Sequence, residues 1–266
     1  MNAFAGASLD ELWQPKILIF AVAVWCLYMV LGHGPVARKI YGQRHLTTKG
    51  QTAAFTSGMI LLYFSFAGPL DYLSDNYLFS AHMVQHMLEI TVMTPLVMKG
   101  LPNGAYRTLF TSRWTKRIVT GWSNPIAAGG IFNIVLTTFH SPLLYNYALI
   151  SESFHLFEHS VFFVIAFFMW MPILKGISAT KVLTPGQKML YLLYNYNLMM
   201  PIVVLLLIAN HPWYEFYVHA PRIIPGLSAL GDMQLGAIIM MAFMAGAYGT
   251  VAAKQYLLQD ELVWYR

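Results

Sequence analysis

Two pairs of histidines are spaced four residues apart within apolar sequence. His82 and His86 lie in HMVQHMLE, and His155 and His159 lie in HLFEH. Residues four apart share one face of a helix, one turn from each other, so each pair can direct two imidazoles at one ion. Two such pairs on different helices favour a transition-metal site. The alternative is a set of neutral histidines that bind buried carbonyls or line a small water pocket.

Three acidic residues fall inside apolar segments, where an ionisable side chain is costly unless it has a partner or binds a metal. Glu89 lies three residues after His86, and Glu158 directly precedes His159. Either carboxylate can therefore orient an imidazole. Asp232 opens the last apolar segment, where it is either a metal ligand or the N-cap of its own helix.

Sulfur ligands are available mainly from methionine, because the chain has sixteen Met and one Cys. A single cysteine excludes a disulfide framework and a thiolate-only metal cluster within one chain. Thioether with imidazole is a donor set that suits Cu(I). Whether Met83, Met87, Met233 or His211 joins the site is left open by the sequence.

Long apolar segments must position these side chains. The chain of 266 residues is 58% apolar and 10% charged, and a soluble domain carries about 25% charged residues. Seven runs approach the roughly 20 residues that cross a bilayer. We predict an all-α bundle of seven transmembrane helices in one domain, 1–266, with spans near 16–32, 51–68, 81–98, 123–140, 154–174, 188–209 and 230–252.

The basic residues indicate the orientation of the bundle. All but two of the sixteen Lys and Arg fall on one side when the gaps are assigned to alternating sides of the membrane. The positive-inside rule then places the N-terminus outside and the C-terminus in the cytoplasm. It also predicts an interfacial cytoplasmic helix near 105–122. The net charge of +5 is therefore a topology signal, and nucleic acid is not an expected partner.

Histidines gather on the outer side of this topology, where seven of the nine lie at or beyond helix ends. His33 and His45 fall on the inner side, where a solvated or headgroup-facing role is expected. The two histidine pairs and Asp232 therefore share one predicted depth.

Several stretches resemble the CtaG family, the seven-helix membrane proteins of Bacillus type that are needed to assemble cytochrome c oxidase. HMVQHMLEITVMTPLVMKGLP is similar to the family's H-M-x-Q-H segment. FHSPLLYNYALISESFHLFEH is similar to its H-x-P-x-x-Y followed by H-x-x-E-H, and DMQLGAIIM to its D-x-Q-L stretch. The resemblance covers roughly 80–252, and it carries over a characteristic polar set: His82, His86, His140, His155, His159 and Asp232.

The resemblance implies an assembly factor in the bacterial plasma membrane rather than an enzyme. We expect copper as the bound ion, with the six residues of the polar set as metal ligands. The expected partners are a cytochrome c oxidase subunit in the same membrane, an extracytoplasmic copper donor and the lipid bilayer. Three alternatives stay open: a haem-binding redox protein with axial histidines from two helices, a di-iron enzyme and a membrane copper transporter.

Overall fold

The computed structural model describes residue 4 and residues 6–41, 46–108, 112–174 and 183–264. Every regular element in those ranges is helical, which confirms the all-α prediction. The first nine helices are α1 (Leu9–Trp13), α2 (Pro15–Gly32), α3 (Gly34–Tyr41), α4 (Lys49–Ser65), α5 (Pro69–Asn76), α6 (Phe79–Leu88), α7 (Thr94–Gly100), α8 (Asn103–Thr108) and α9 (Arg113–Trp122). The others are α10 (Pro125–Phe139), α11 (Pro142–Ile150), α12 (Glu152–Leu174), α13 (Pro185–Ile208), α14 (Glu215–His219) and α15 (Ala229–Trp264).

Each of the seven apolar runs is largely helical, but the structure supports fewer spans than seven. Among the described residues, four helical segments are long and apolar enough to cross a membrane: Leu9–Gly32, Glu152–Leu174, Pro185–Ile208 and Ala229–Leu257. Counting each of two bent helix pairs as one span raises the number to six. The chain thus has the helices of a multi-pass membrane protein, while seven spans and the orientation of the termini stay predictions.

Two bends shape the end of the bundle that holds the histidine pairs. α4 and α5 meet at 43°, and α10 and α11 meet at 69°. A proline begins the second helix of each pair, and the residue before a proline disfavours helical geometry. Gly68 adopts the left-handed φ of 81° in the first bend, a conformation that glycine accepts without strain. The second bend places His140 at the C-terminus of α10.

One π-helical turn, Glu89–Met93, joins α6 to α7. Pro95 follows it in the first turn of α7, and a proline inside a helix removes one N–H donor and displaces a carbonyl four residues earlier. Side chains bind the carbonyls of the widened turn. Thr94 Oγ1 donates to Glu89 O at 2.8 Å, and Trp170 Nε1 donates to Ile90 O at 2.7 Å.

The interfacial helix predicted near 105–122 is divided in the structure. α8 and α9 lie on either side of residues 109–111, which are outside the described residues. The Ser112 hydroxyl accepts a hydrogen bond from Trp114 N and so starts a new helix there. α9 exposes Trp114, Ile118 and Trp122, which is consistent with a helix lying at a membrane surface.

Some of the basic residues used for the orientation lie outside the described part of the chain, namely Arg44, Lys175, Lys181 and Arg266. His45, which the predicted topology places on the inner side, also lies outside it.

α6 lies in the centre of the fold, between α5 and α15. Its Phe79, Met83 and Met87 are buried in the main hydrophobic core with residues of α10, α12, α13 and α15. Gly236 of α15 allows the close approach, because a Cβ there would overlap the Phe79 ring and lie 3.0 Å from Met83 Cγ. The helix that carries His82 and His86 is therefore packed tightly against α15.

We expect Gly236→Ala to lower the free energy of unfolding by about 1–3 kcal/mol, because the added methyl overpacks the contact with α6. Thermal unfolding in detergent measures the effect. Gly246→Ala is the matched control in the same helix, since open space surrounds it and alanine favours a helix by about 0.5–1 kcal/mol over glycine. Equal effects of the two substitutions would contradict the packing described here.

Candidate metal centre

The two histidine pairs face each other across α6 and α12. The ring centroids of His86 and His159 are 4.6 Å apart, and those of His82 and His155 are 5.1 Å apart. Within the helices the corresponding distances are 4.4 Å for His82 and His86 and 4.7 Å for His155 and His159. The i, i+4 spacing gives each pair one face, and the packing of the two helices brings all four imidazoles into one group.

Each side of the cluster also provides a buried carboxylate to a histidine of the other side: Glu89 comes from the π-helical turn after α6, and Glu158 comes from α12. Glu89 Oε2 lies 2.8 Å from His159 Nδ1. Glu158 Oε1 lies 3.8 Å from His86 Nε2, which is too long for a hydrogen bond. Both carboxylates are buried. A hydrogen bond from Nδ1 to a carboxylate leaves Nε2 of His159 as the lone-pair donor, a common arrangement for metal-bound histidine.

Several polar atoms of this group lack any hydrogen-bond partner within the described residues. They are His82 Nε2, both ring nitrogens of His86 and both carboxylate oxygens of Glu158. A buried polar atom without a partner costs about 1–3 kcal/mol, and a charged one costs more. A cation bound among these atoms would remove that cost, so the residues present fit a metal ion.

Ligand atoms of these side chains form three overlapping groups, in each of which all atoms lie within 4.8 Å of one another. His82, His155 and His159 form the first, and His82, His86 and Glu158 form the second. His86, Glu89 and His159 form the third. Each pair of groups shares one histidine, so neighbouring groups have a ligand in common.

His140, the fifth histidine of the predicted set, borders the cluster. Its ring centroid is 5.9 Å from that of His86. His140 Nδ1 lies 2.7 Å from Leu136 O, and Nε2 lies 3.4 Å from Met83 Sδ. His140 therefore lies outside the three groups and next to a thioether.

Asp232 lies apart from the three groups and binds the start of α6. Its carboxylate accepts hydrogen bonds from Phe79 N at 2.8 Å, Ser80 N at 3.2 Å and Ser80 Oγ at 2.5 Å. α15 begins at Ala229, so Asp232 is not the N-cap of its own helix. Instead it satisfies two of the free N–H groups of another helix and places negative charge at the positive end of the helix dipole.

The remaining open candidates lie in different surroundings. Met233 Sδ accepts a hydrogen bond from Trp213 N at 3.3 Å. Met87 is fully buried in the core, and His211 is exposed after α13.

Three tyrosines that sequence reasoning did not select enclose the cluster. The Tyr145 ring centroid is 5.1 Å from that of His82. Tyr217 Oη donates to Ser74 O at 2.9 Å and lies 3.4 Å from His82 Nδ1, while Tyr214 Oη donates to His140 O at 3.0 Å. Burial raises the pKa of the Tyr217 phenol well above its usual value, so the hydroxyl keeps its proton and remains a donor.

Only weak signals in the sequence mark these tyrosines. Tyr145 ends the H-x-P-x-x-Y stretch, and Tyr214 and Tyr217 lie in the aromatic segment WYEFYVHA. Aromatic residues in such segments are ordinary core or interface residues in most membrane proteins. Their contacts with His82 and His140 depend on the packing of α14 and the residue before it against α11 and α6.

We expect Asp232→Ala to lower the free energy of unfolding by about 1–3 kcal/mol, because it leaves the buried start of α6 without its acceptor. Thermal unfolding in detergent provides the measurement. Asp10→Ala is the control, since Asp10 is an exposed aspartate at the start of the short helix α1. An Asp232 variant as stable as the Asp10 variant would contradict the capping role.

The comparisons with known proteins agree with the character of this site. A family model described as cytochrome c oxidase caa3 assembly factor (Caa3_CtaG) matches residues 26–257. No curated protein and no solved structure matches the chain. The matched region includes α6, α12 and both histidine pairs, so the chain belongs to the CtaG family of cytochrome c oxidase caa3 assembly factors.

Proposed function

We propose that this chain binds copper at the cluster of His82, His86, His155, His159, Glu89 and Glu158 and delivers it to a cytochrome c oxidase subunit in the same membrane. The copper is cargo rather than a resident cofactor. The observation that carries the proposal is the set of buried nitrogen and oxygen atoms on His82, His86 and Glu158 that have no partner within the described residues.

The donor types favour a transition metal over a hard cation. Imidazole nitrogen is a ligand for copper, zinc, iron and nickel, whereas calcium and magnesium prefer oxygen. Four imidazoles and two carboxylates offer more donors than a single tetrahedral ion uses. Among the metals that imidazole binds, copper is the one that fits a role in assembling a copper-containing oxidase.

The overlap of the three groups suits an ion that must leave again. Because neighbouring groups share His82, His86 or His159, an ion can change its ligands one at a time. His155 is partly exposed, whereas His86 and Glu158 are fully buried. An accessible histidine beside buried ones gives the ion a route between the surface and the centre.

The predicted topology places the cluster at the outer face of the bacterial plasma membrane. The ligands lie on α6, on the π-helical turn that follows it and in the N-terminal third of α12, near the start of α15 and the end of α10. With seven spans and an external N-terminus, this end of the bundle faces the extracytoplasmic side. An extracytoplasmic copper donor could then load the site. Asp232 has a positioning role in this proposal, since it holds the start of the helix that carries His82 and His86.

We expect protein purified in detergent to bind about one copper ion per chain, and His86→Ala or His159→Ala to abolish binding because each removes a ligand shared by two groups. Elemental analysis and copper titration measure this. His219→Ala is the control, because His219 is exposed and its Nδ1 contacts the backbone carbonyl of Glu215, away from the cluster. Unchanged copper content in both cluster variants would defeat the assignment.

Haem binding is the second candidate function that the two histidine pairs permit. Ligation of haem by one histidine from each helix requires the porphyrin to lie between two imidazoles, but His86 and His159 have centroids 4.6 Å apart, with nearly stacked rings inclined at 27°. Rings in direct contact leave no space for a macrocycle. The copper proposal therefore accounts better for this arrangement.

We expect the optical spectrum of freshly purified protein to lack a Soret band. The spectrum before and after addition of haemin gives the measurement, and a known bis-histidine cytochrome serves as the positive control. A Soret band that is lost in His86→Ala would favour the haem function instead.

A further inference from the structure

A thioether and an imidazole meet beside the histidine cluster. Met83 Sδ and His140 Nε2 are 3.4 Å apart, and both residues are fully buried. Met83 belongs to α6, one residue after His82, whereas His140 ends α10. Tyr214 Oη donates to the backbone carbonyl of His140 and helps to fix its position.

The hydrogen bond between His140 Nδ1 and Leu136 O determines which nitrogen of the His140 ring carries the proton. Leu136 O can only accept, so the 2.7 Å contact requires an N–H at His140 Nδ1. No carboxylate forms an ion pair with His140 within the described residues, and burial without a counter-ion favours the neutral ring. His140 Nε2 therefore presents a lone pair toward Met83 Sδ, which has no proton to donate.

Two lone-pair donors that face each other at this distance can share one ion. Bonds to a metal are about 2.0 Å long for imidazole nitrogen and about 2.3 Å for sulfur, so one ion can contact both atoms across 3.4 Å. The nitrogen and the thioether form a soft donor pair, which favours Cu(I), whereas Zn(II) gains little from a thioether.

A third donor is close. His86 is the cluster histidine whose ring centroid is 5.9 Å from that of His140, and both of its nitrogens lack partners within the described residues. His86 also belongs to two of the three cluster groups. An ion bound by Met83 and His140 could therefore pass to or from the cluster through His86.

We infer that Met83 and His140 form a second metal site, selective for Cu(I), next to the histidine cluster and linked to it by His86. This inference rests on the proposed function, because it takes copper as the cargo. The site adds a sulfur ligand where the cluster offers nitrogen and oxygen. This sulfur ligand would let the chain bind Cu(I) in preference to Zn(II), whereas the nitrogen and oxygen ligands of the cluster discriminate only weakly between the two ions.

The test is Met83→Leu in the full chain, purified in detergent and titrated with Cu(I) and separately with Zn(II) against competing chelators. Leucine nearly conserves the side-chain volume, so the fold is expected to persist. We expect Cu(I) affinity to fall about tenfold or more and Zn(II) affinity to change less than about threefold, because only the thioether is lost. X-ray absorption of the Cu(I)-loaded protein should show a copper–sulfur shell in the unmodified chain and none in the variant.

Met87→Leu is the matched control. Met87 is equally buried and one helical turn further along α6, and we expect that variant to keep both affinities and the sulfur shell. A retained sulfur shell in Met83→Leu, or equal losses of Cu(I) and Zn(II) affinity, would overturn the second site and leave the cluster proposal standing. Failure of the unmodified chain to bind either ion would overturn both.

Discussion

The burial of imidazoles and carboxylates against one another is the constraint on which this end of the structure depends. His82, His86, Glu89 and Glu158 are almost completely enclosed, yet several of their polar atoms find no partner within the described residues. Apolar surroundings make that arrangement costly. Proteins retain such groups mainly where they serve a function, and a cation is the ligand that would satisfy both the lone pairs and the carboxylate charge.

The surrounding elements hold these groups in place and leave His82 Nε2, both ring nitrogens of His86 and both carboxylate oxygens of Glu158 without a partner within the described residues. Asp232 binds the start of α6 from α15, and the π-helical turn after α6 brings Glu89 to His159. π-Turns are frequent at functional sites because the widened backbone redirects the side chains near it. Trp170 stabilises this turn by donating to a carbonyl inside it. Contacts from α15, from the π-helical turn and from Trp170 of α12 therefore hold the cluster side chains in position.

Membership of the CtaG family gives the site a biological setting, since its members are described as assembly factors for cytochrome c oxidase caa3. An assembly factor that supplies a metal must bind it firmly and also release it. Under the proposed function, the overlapping ligand groups would meet both requirements, because an ion moving between them keeps the histidine that they share. In the proposed second site, the thioether of Met83 would add a preference for the reduced ion.

The sequence by itself determined the helical class and the two histidine pairs, because helical periodicity and apolar length are local properties. It did not determine which histidine each carboxylate would meet. Glu89 contacts His159 of α12 and Glu158 approaches His86 of α6, and both contacts depend on how the two helices pack. The same holds for Asp232, which serves a helix distant in sequence rather than its own. Contacts between segments distant in sequence were decided by the tertiary structure, because local periodicity carries no information about which helices pack together.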